Sequence, residues 1–151
     1  SAIEPALLLL PAKMTSPQAE VMLLAITQQE DPEQRRRQWP TGPARGLWQL
    51  ARAGGARGVL RHELTDKAAV AVCTARGIKP DEHLVHAALE HDDVLAAAFA
   101  RLLLWTDPFR LPAESDAAGA WDLYLRTWRP GKPHPSRWAA RYAAAVREAY
   151  P

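Results

Sequence analysis

The stretch VMLLAITQQEDPEQRRRQWPTGPARGLWQL, Val21 to Leu50, starts apolar and ends its first segment on a single acid, Glu30. It then turns polar and proline-rich before closing on Gly46-Leu47-Trp48-Gln49. Just upstream, Ser16-Pro17 is a good helix start: a hydroxyl to cap the free N–H groups, then a proline where its missing N–H costs nothing. Val21, Leu24 and Ala25 fall on one helical face, and Met22, Leu23 and Ile26 widen the stripe. The spacing predicts a helix buried over most of its circumference. Pro32 disfavours helical geometry at Asp31, which puts the helix end near Glu30. From Pro32 to Pro43 three prolines interrupt a polar run with Arg35, Arg36 and Arg37 in a row. That run reads either as a solvated loop or as a cationic rim over an acidic polymer. Gly46–Ala53 reads as a short helix or irregular wall with flexible ends, since Gly54-Gly55 and Gly58 punctuate the next segment.

Outward from this stretch the chain is helical. Residues 1–15 form an N-terminal arm, a short apolar turn or helix closed by Pro11 and followed by a loop. Thr65 opens a helix over Lys67–Ala75 with Ala68, Val72 and Cys73 inward, which Gly77 should end. Pro80-Asp81-Glu82 starts another, with Leu84, Val85, Ala88 and Leu89 on its inner face. Asp93–Trp105 is apolar almost all round, as a central helix of an all-α domain is, and Asp107-Pro108 ends it. Ser115 or Asp116 caps a helix through Trp121, Tyr124, Leu125 and Trp128. The proline-rich run RPGKPHP, residues 129–135, must be a loop. Ser136 to Ala149 closes the chain with Trp138, Tyr142, Ala145 and Val146 as its buried stripe. No strand-period alternation of any length and no internal repeat is present. The expected architecture is one all-α domain over residues 1–151, with at most a short hairpin near residues 35–50.

Composition narrows the function classes. A chain of 151 residues, 48% hydrophobic and 24% charged, buries a real core as one soluble domain. The net charge of only +2 gives no footprint for nucleic acid, although mild basicity suits an anionic polymer such as a cell wall. Cys73 is the sole cysteine, so an internal disulfide is excluded and a buried, inert thiol is expected. The Leu7–Leu10 run has no basic residue before it and is too short to span a bilayer, so no secretion signal and no membrane span are expected. His83, His86 and His91 lack any Cys/His pairing or HExxH pattern and read as solvated helix histidines, with no metal. No phosphate loop or dinucleotide fingerprint is present, and no cofactor is implied.

The run Ala25-Ile26-Thr27-Gln28-Gln29-Glu30, followed after a loop by Gly42-Pro43-Ala44-Arg45-Gly46-Leu47-Trp48-Gln49, resembles the lytic transglycosylase pattern. In that family a helix ends in a catalytic Glu and a Gly-Leu-Met-Gln-like segment comes at a similar distance, on the fold of goose-type lysozyme. Asp92-Asp93-Val94 through Leu104 lies where the family has a long buried helix. Ala120–Gly131, AWDLYLRTWRPG, lies where it has an Ala-Tyr-Asn-Ala-Gly segment lining the cleft. The chain departs from the pattern at Asp31, where the family has Ser, at Trp48, where it has Met, and at Leu125 and Arg126 after Tyr124. More broadly, the chain resembles small helical proteins encoded in tailed-phage and prophage structural regions.

The resemblance implies peptidoglycan glycan strands as the partner and Glu30 as acid and then base. The substrate's own N-acetyl group would stabilise the developing charge, and an anhydro product would form. A hydrolase would need a second acid, for which Asp31, Asp92 and Asp93 are the candidates. Such an acid must be protonated near neutral pH, and burial against apolar groups provides this. Glu30 would find that environment between a buried helix and Trp39 or Trp48. Gln49 would hydrogen-bond sugar hydroxyls or the N-acetyl amide. Trp48, Trp121 and Trp128 offer flat faces to pyranose rings, and Tyr124 a hydroxyl to Glu30, although six tryptophans in so small a chain also fit core packing. The expected setting is a virion or tail, or the host cytoplasm before assembly or release, with other tail proteins or a homo-oligomeric virion assembly as company. The rival expectation is a non-catalytic tail structural or assembly protein that retains the fold. A third is a cytoplasmic helical adaptor with RPGKPHP as its interface, Arg129 and Lys132 supplying the charge.

Overall fold

The computed structural model describes residues 1–151 and is all-helical. Eight α-helices run in sequence: α1 (Ile3–Leu8), α2 (Pro17–Glu30), α3 (Gly58–Arg61), α4 (Asp66–Arg76), α5 (Glu82–Ala88), α6 (Asp93–Trp105), α7 (Ala117–Trp128) and α8 (Pro135–Ala149). A 3₁₀ turn, Ala12–Met14, precedes α2, and a wide π-helical turn, Arg52–Arg57, runs into α3. The hairpin expected near residues 35–50 reduces to isolated antiparallel bridges, Arg37 with Arg45 and Arg45 with Leu50. No helix is long and apolar enough to cross a membrane.

The helix ends obey local chemistry. Ser16 Oγ accepts from the Ala19 N–H at 3.1 Å with Pro17 in the first helical position, so α2 starts where capping dictates. Asp92 caps α6 and Asp116, rather than Ser115, caps α7. Gly77, at φ +70, ends α4 in the left-handed conformation. Thr65 does not cap α4. Its hydroxyl turns inward and donates to the Val59 carbonyl at 2.6 Å.

Helix α6 is the axis of the core. Leu95 through Leu104 are all buried, and α1, α2, α3, α4 and α7 all pack on it. Its alanines, Ala96, Ala97, Ala98 and Ala100, let neighbouring backbones approach closely. Helix α2 is likewise buried round most of its girth and lies most extensively against α8. Leu84 departs from its expected inward place. It is exposed, because α5 is only two turns long and turns just Val85 and Leu89 into the core.

The loop after α2 is wound into a fixed shape. Asp31 is buried, and its two carboxylate oxygens accept the N–H groups of Arg35 and Arg36, each at 2.8 Å. Arg36 then forks onto Asp93 at the start of α6, at 2.9 and 2.8 Å. The Gly46 turn beyond it sits directly over α5. Gly46 has φ +81, and a methyl group there would lie 2.7 Å from the Leu89 carbonyl oxygen. Gly46→Ala should therefore destabilise the fold by roughly 2–3 kcal/mol, combining left-handed strain with a backbone clash. Urea unfolding followed by circular dichroism checks this; a change under about 0.5 kcal/mol, the level of an ordinary surface substitution, would show that the turn is free to move.

Candidate active site

Glu30 is the last residue of α2, half-buried where the helix meets α7 and the arginine-rich loop. It opens on a groove of about 800 Å³. Three segments form that groove: the end of α2 with the loop through Ala44, the turn at Gln49, and the end of α7 with the RPGKPHP loop. Burial pushes the Glu30 carboxyl up to about 7; hydrogen bonding to the Tyr124 hydroxyl pulls it partly back, and the neighbouring Asp31 charge adds a smaller upward push. In turn, burial and the nearby Glu30 raise Tyr124 well above an ordinary phenol, which keeps its hydroxyl a donor at any ordinary pH.

Hydrogen bonds between distant parts of the chain hold these groups together. The turn Arg45–Leu50 is closed by reciprocal backbone bonds between its ends, at 3.1 and 3.0 Å. It docks onto α2 through Thr27, whose hydroxyl donates to the Leu47 carbonyl at 2.8 Å, and through Trp48, whose indole N–H donates to the Leu23 carbonyl at 2.9 Å. Trp128 then ties α7 to the same turn, its indole N–H donating to the Trp48 carbonyl at 2.8 Å. The outcome is that Glu30, Gln49, Tyr124 and Trp128 line one groove although they come from three regions of sequence.

Trp48 requires a correction. It is not a groove-lining platform but a core residue, only 2% exposed, with its one polar atom committed to α2. Trp121 also lies outside the groove, packed against Tyr124 and Trp138 with ring centroids 5.3 and 5.4 Å away. Those rings, with Trp128 and Tyr142, form the aromatic cluster that fixes Tyr124. Gln49 faces the groove at φ +50, and its side-chain N–H donates to the Gly46 carbonyl at 2.8 Å. Its carbonyl oxygen and second N–H remain for a ligand.

The acids considered as second carboxylates are occupied. Asp31 is consumed by the loop N–H groups, Asp92 by the α6 cap and Arg76, and Asp93 by Arg36. Glu33 is the remaining acid on the groove, at its rim and paired with Arg35. One half-buried acid in the groove thus has a pKa suited to giving up a proton near neutrality, and no free partner carboxylate faces it.

The groove also holds residues that no motif announces. Trp39 is 70% exposed, with the Arg35 guanidinium stacked 3.9 Å from its ring centroid. Arg137, in the first turn of α8, faces the groove together with Arg129 and Lys132 of the loop. Behind them Gln29 donates to the His134 carbonyl at 2.9 Å and pins the RPGKPHP loop against α2. In the arginine run, Arg36 and Arg37 are tied to Asp93 and Glu90, while Arg35 and Arg37 line the groove. His83 and His91 are exposed, and His86 reaches the Pro43 carbonyl at 2.6 Å. No group of three His, Cys, Asp or Glu is placed to hold a metal ion. Cys73 is buried, its thiol pushed up to about 11. No family model matches the chain, and neither a curated protein nor a solved structure matches it.

Proposed function

We propose that the chain cleaves the glycan strands of peptidoglycan as a lytic transglycosylase, in the setting of a phage virion or tail, with Glu30 as the acid and base. The observation that carries this is one carboxyl pushed up to about 7, opening on a groove of about 800 Å³ beside Gln49 and Tyr124. A carboxyl so tuned is a substantially protonated acid at neutral pH, and it becomes a competent base once it has given up its proton. Glu30 protonates the leaving glycosidic oxygen as the bond breaks. The carboxylate then takes the proton from the sugar's own primary hydroxyl as that oxygen closes on the anomeric carbon, giving the anhydro ring. Atoms and charge balance without water, and no second carboxylate is needed; the commitment of Asp31, Asp92 and Asp93 elsewhere agrees with this route. Gln49 and the Trp128 edge hold the sugar, and Arg129, Lys132 and Arg137 favour an anionic polymer.

Cleavage should be fastest while Glu30 is protonated and should fall as pH rises through about 7. Tyr124→Phe removes a hydrogen bond that favours the charged carboxylate. This variant should move the alkaline limb to higher pH with at most about a tenfold loss of rate, the scale of one hydrogen bond. A pH–rate profile of dye-release from labelled peptidoglycan reads both, and a limb unmoved by the substitution would separate Tyr124 from the carboxyl.

A second reading is a tail structural or assembly protein that retains the fold without cleaving. It draws on Arg126, which stands in the segment that lines the family's cleft yet turns away to pair with Asp107 at 3.0 Å. Mass analysis of the soluble products from purified peptidoglycan distinguishes the readings. Anhydro-muropeptides identify a transglycosylase, reducing ends a hydrolase, and no release the structural protein.

A further inference from the structure

Arg101 lies in the middle of apolar helix α6 and is only 3% exposed. Its Nε donates to the Met14 carbonyl at 2.7 Å, which ties the N-terminal arm to α6. No carboxylate pairs with it, and burial alone, unopposed by any acid, lowers it to about 10. A buried guanidinium without a counter-charge is costly, and proteins normally place an acid against it.

The two Nη amines find no acceptor in the protein, yet no buried polar side-chain atom is left unsatisfied, so these amines reach solvent. They do so in a groove of about 640 Å³ that shares no residue with the one at Glu30. The lining is mixed: Leu104, Leu111, the half-buried Trp105 and Phe109, which is 70% exposed, form its apolar part, and Ser16 and Gln18 are among its polar residues. Lys13, which approaches the Trp105 ring at 5.6 Å, and Arg110 add two further cations to the lining. Two acids line the groove, and neither pairs with Arg101: Asp107 is taken by Arg126, and Glu63 is exposed and makes no ion pair with it.

Two N–H donors with no acceptor in the protein, on a guanidinium that lies over the Trp105 ring at 5.3 Å and beside the apolar part of this groove, fit one chemistry closely. Carboxylate oxygens match the end of a guanidinium in spacing and charge, and the body that carries them must be apolar to cover the rings beside it. The size of the groove is that of a small-molecule site. We propose that this groove binds a small apolar carboxylic acid, its carboxylate held end-on by the Arg101 Nη amines and its body lying on Leu104, Trp105 and Phe109. The site is independent of the function proposed for Glu30.

Titration calorimetry with octanoate and phenylpropionate, each against its uncharged amide, tests this. The acids should bind at least about tenfold more tightly than the amides, because only they present charge-assisted acceptors. Arg101→Met should lose that preference, whereas Glu30→Gln should keep it. Equal binding of acid and amide would overturn the proposal. So would acid binding that survives Arg101→Met, or no binding by the native protein at millimolar acid. If Arg101→Met does not fold, the acid-to-amide comparison on the native protein decides alone, with Phe109→Ala, an exposed position, expected to weaken the acids several-fold.

Discussion

Glu30→Gln is expected to abolish glycan cleavage and, in the same molecule, to make the fold more tolerant of alkaline pH. Loss of the one acid removes the proton donor for the leaving oxygen, which should lower the rate by about 10²–10⁴-fold or more. The effect on stability comes from the raised carboxyl. Glu30 stands at about 7 in the folded chain against an ordinary 4.5. Its protonated form is the one the fold favours, so that contribution is complete below about pH 4.5 and is lost as pH rises through about 7. The whole effect is roughly 3 kcal/mol. Glutamine does not titrate. The stability difference between variant and native protein should thus move in the variant's favour by about that amount from pH 4 to pH 8. Urea midpoints across this range read it directly. A difference that stays flat would mean that Glu30 is an ordinary solvated helix-end acid. A gain in stability on removing the central acid is what an active site held at a cost to the fold should give.

Trp48→Ala should be the most destabilising single change outside α6. The indole is 2% exposed and its N–H is the donor that fastens the Gly46 turn to the Leu23 carbonyl. Truncation leaves a large cavity and removes one of the turn's two hydrogen-bonded anchors to α2, for a loss of roughly 4–5 kcal/mol. In a chain of this size that lowers the melting temperature by about 10 °C or more. Glycan cleavage would fall too, but through Gln49, which the turn carries. Trp128→Ala offers the contrast: half-buried, facing the groove, it should cost less stability and affect saccharide binding directly. Calorimetric melting of both variants checks the order. A Trp48→Ala protein that melts like the native one while losing glycan affinity would return Trp48 to the groove.

Much of the helical framework is legible in the sequence because it is written in local chemistry. Ser16-Pro17 and Pro32 bracket α2, the apolar run from Asp93 and the Asp107-Pro108 stop mark α6, and Gly77 ends α4. The loop is not legible, since its shape depends on groups far apart in sequence. Asp31 reads as a candidate catalytic acid until its oxygens are seen to gather two backbone N–H groups, with Gln34 and Arg36 in left-handed conformations that carry no glycine signal. Arg52–Arg57 forms a π turn around Gly54-Gly55, where local propensity predicts only looseness. At the site, Glu30, Gln49 and Tyr124 are each marked by position in a motif-like order. Trp48 misleads because an aromatic two residues after a turn glycine looks the same whether it faces a ligand or a core. Arg137 carries no motif at all, being a surface arginine on a helix, and nothing in the run that holds Gln29 marks its amide as the tie to the His134 carbonyl. Arg101 is hidden for the opposite reason, being one charge inside a helix whose pattern announces only burial.

The central claim is that Glu30 gives its proton to a glycosidic oxygen in this groove. The most direct measurement compares native protein and Glu30→Gln, both shown to be folded, on purified peptidoglycan, with the soluble products weighed by mass spectrometry. Anhydro-muropeptides released by the native protein and absent with the variant are the predicted result. Equal release by both, or none by either, would contradict it.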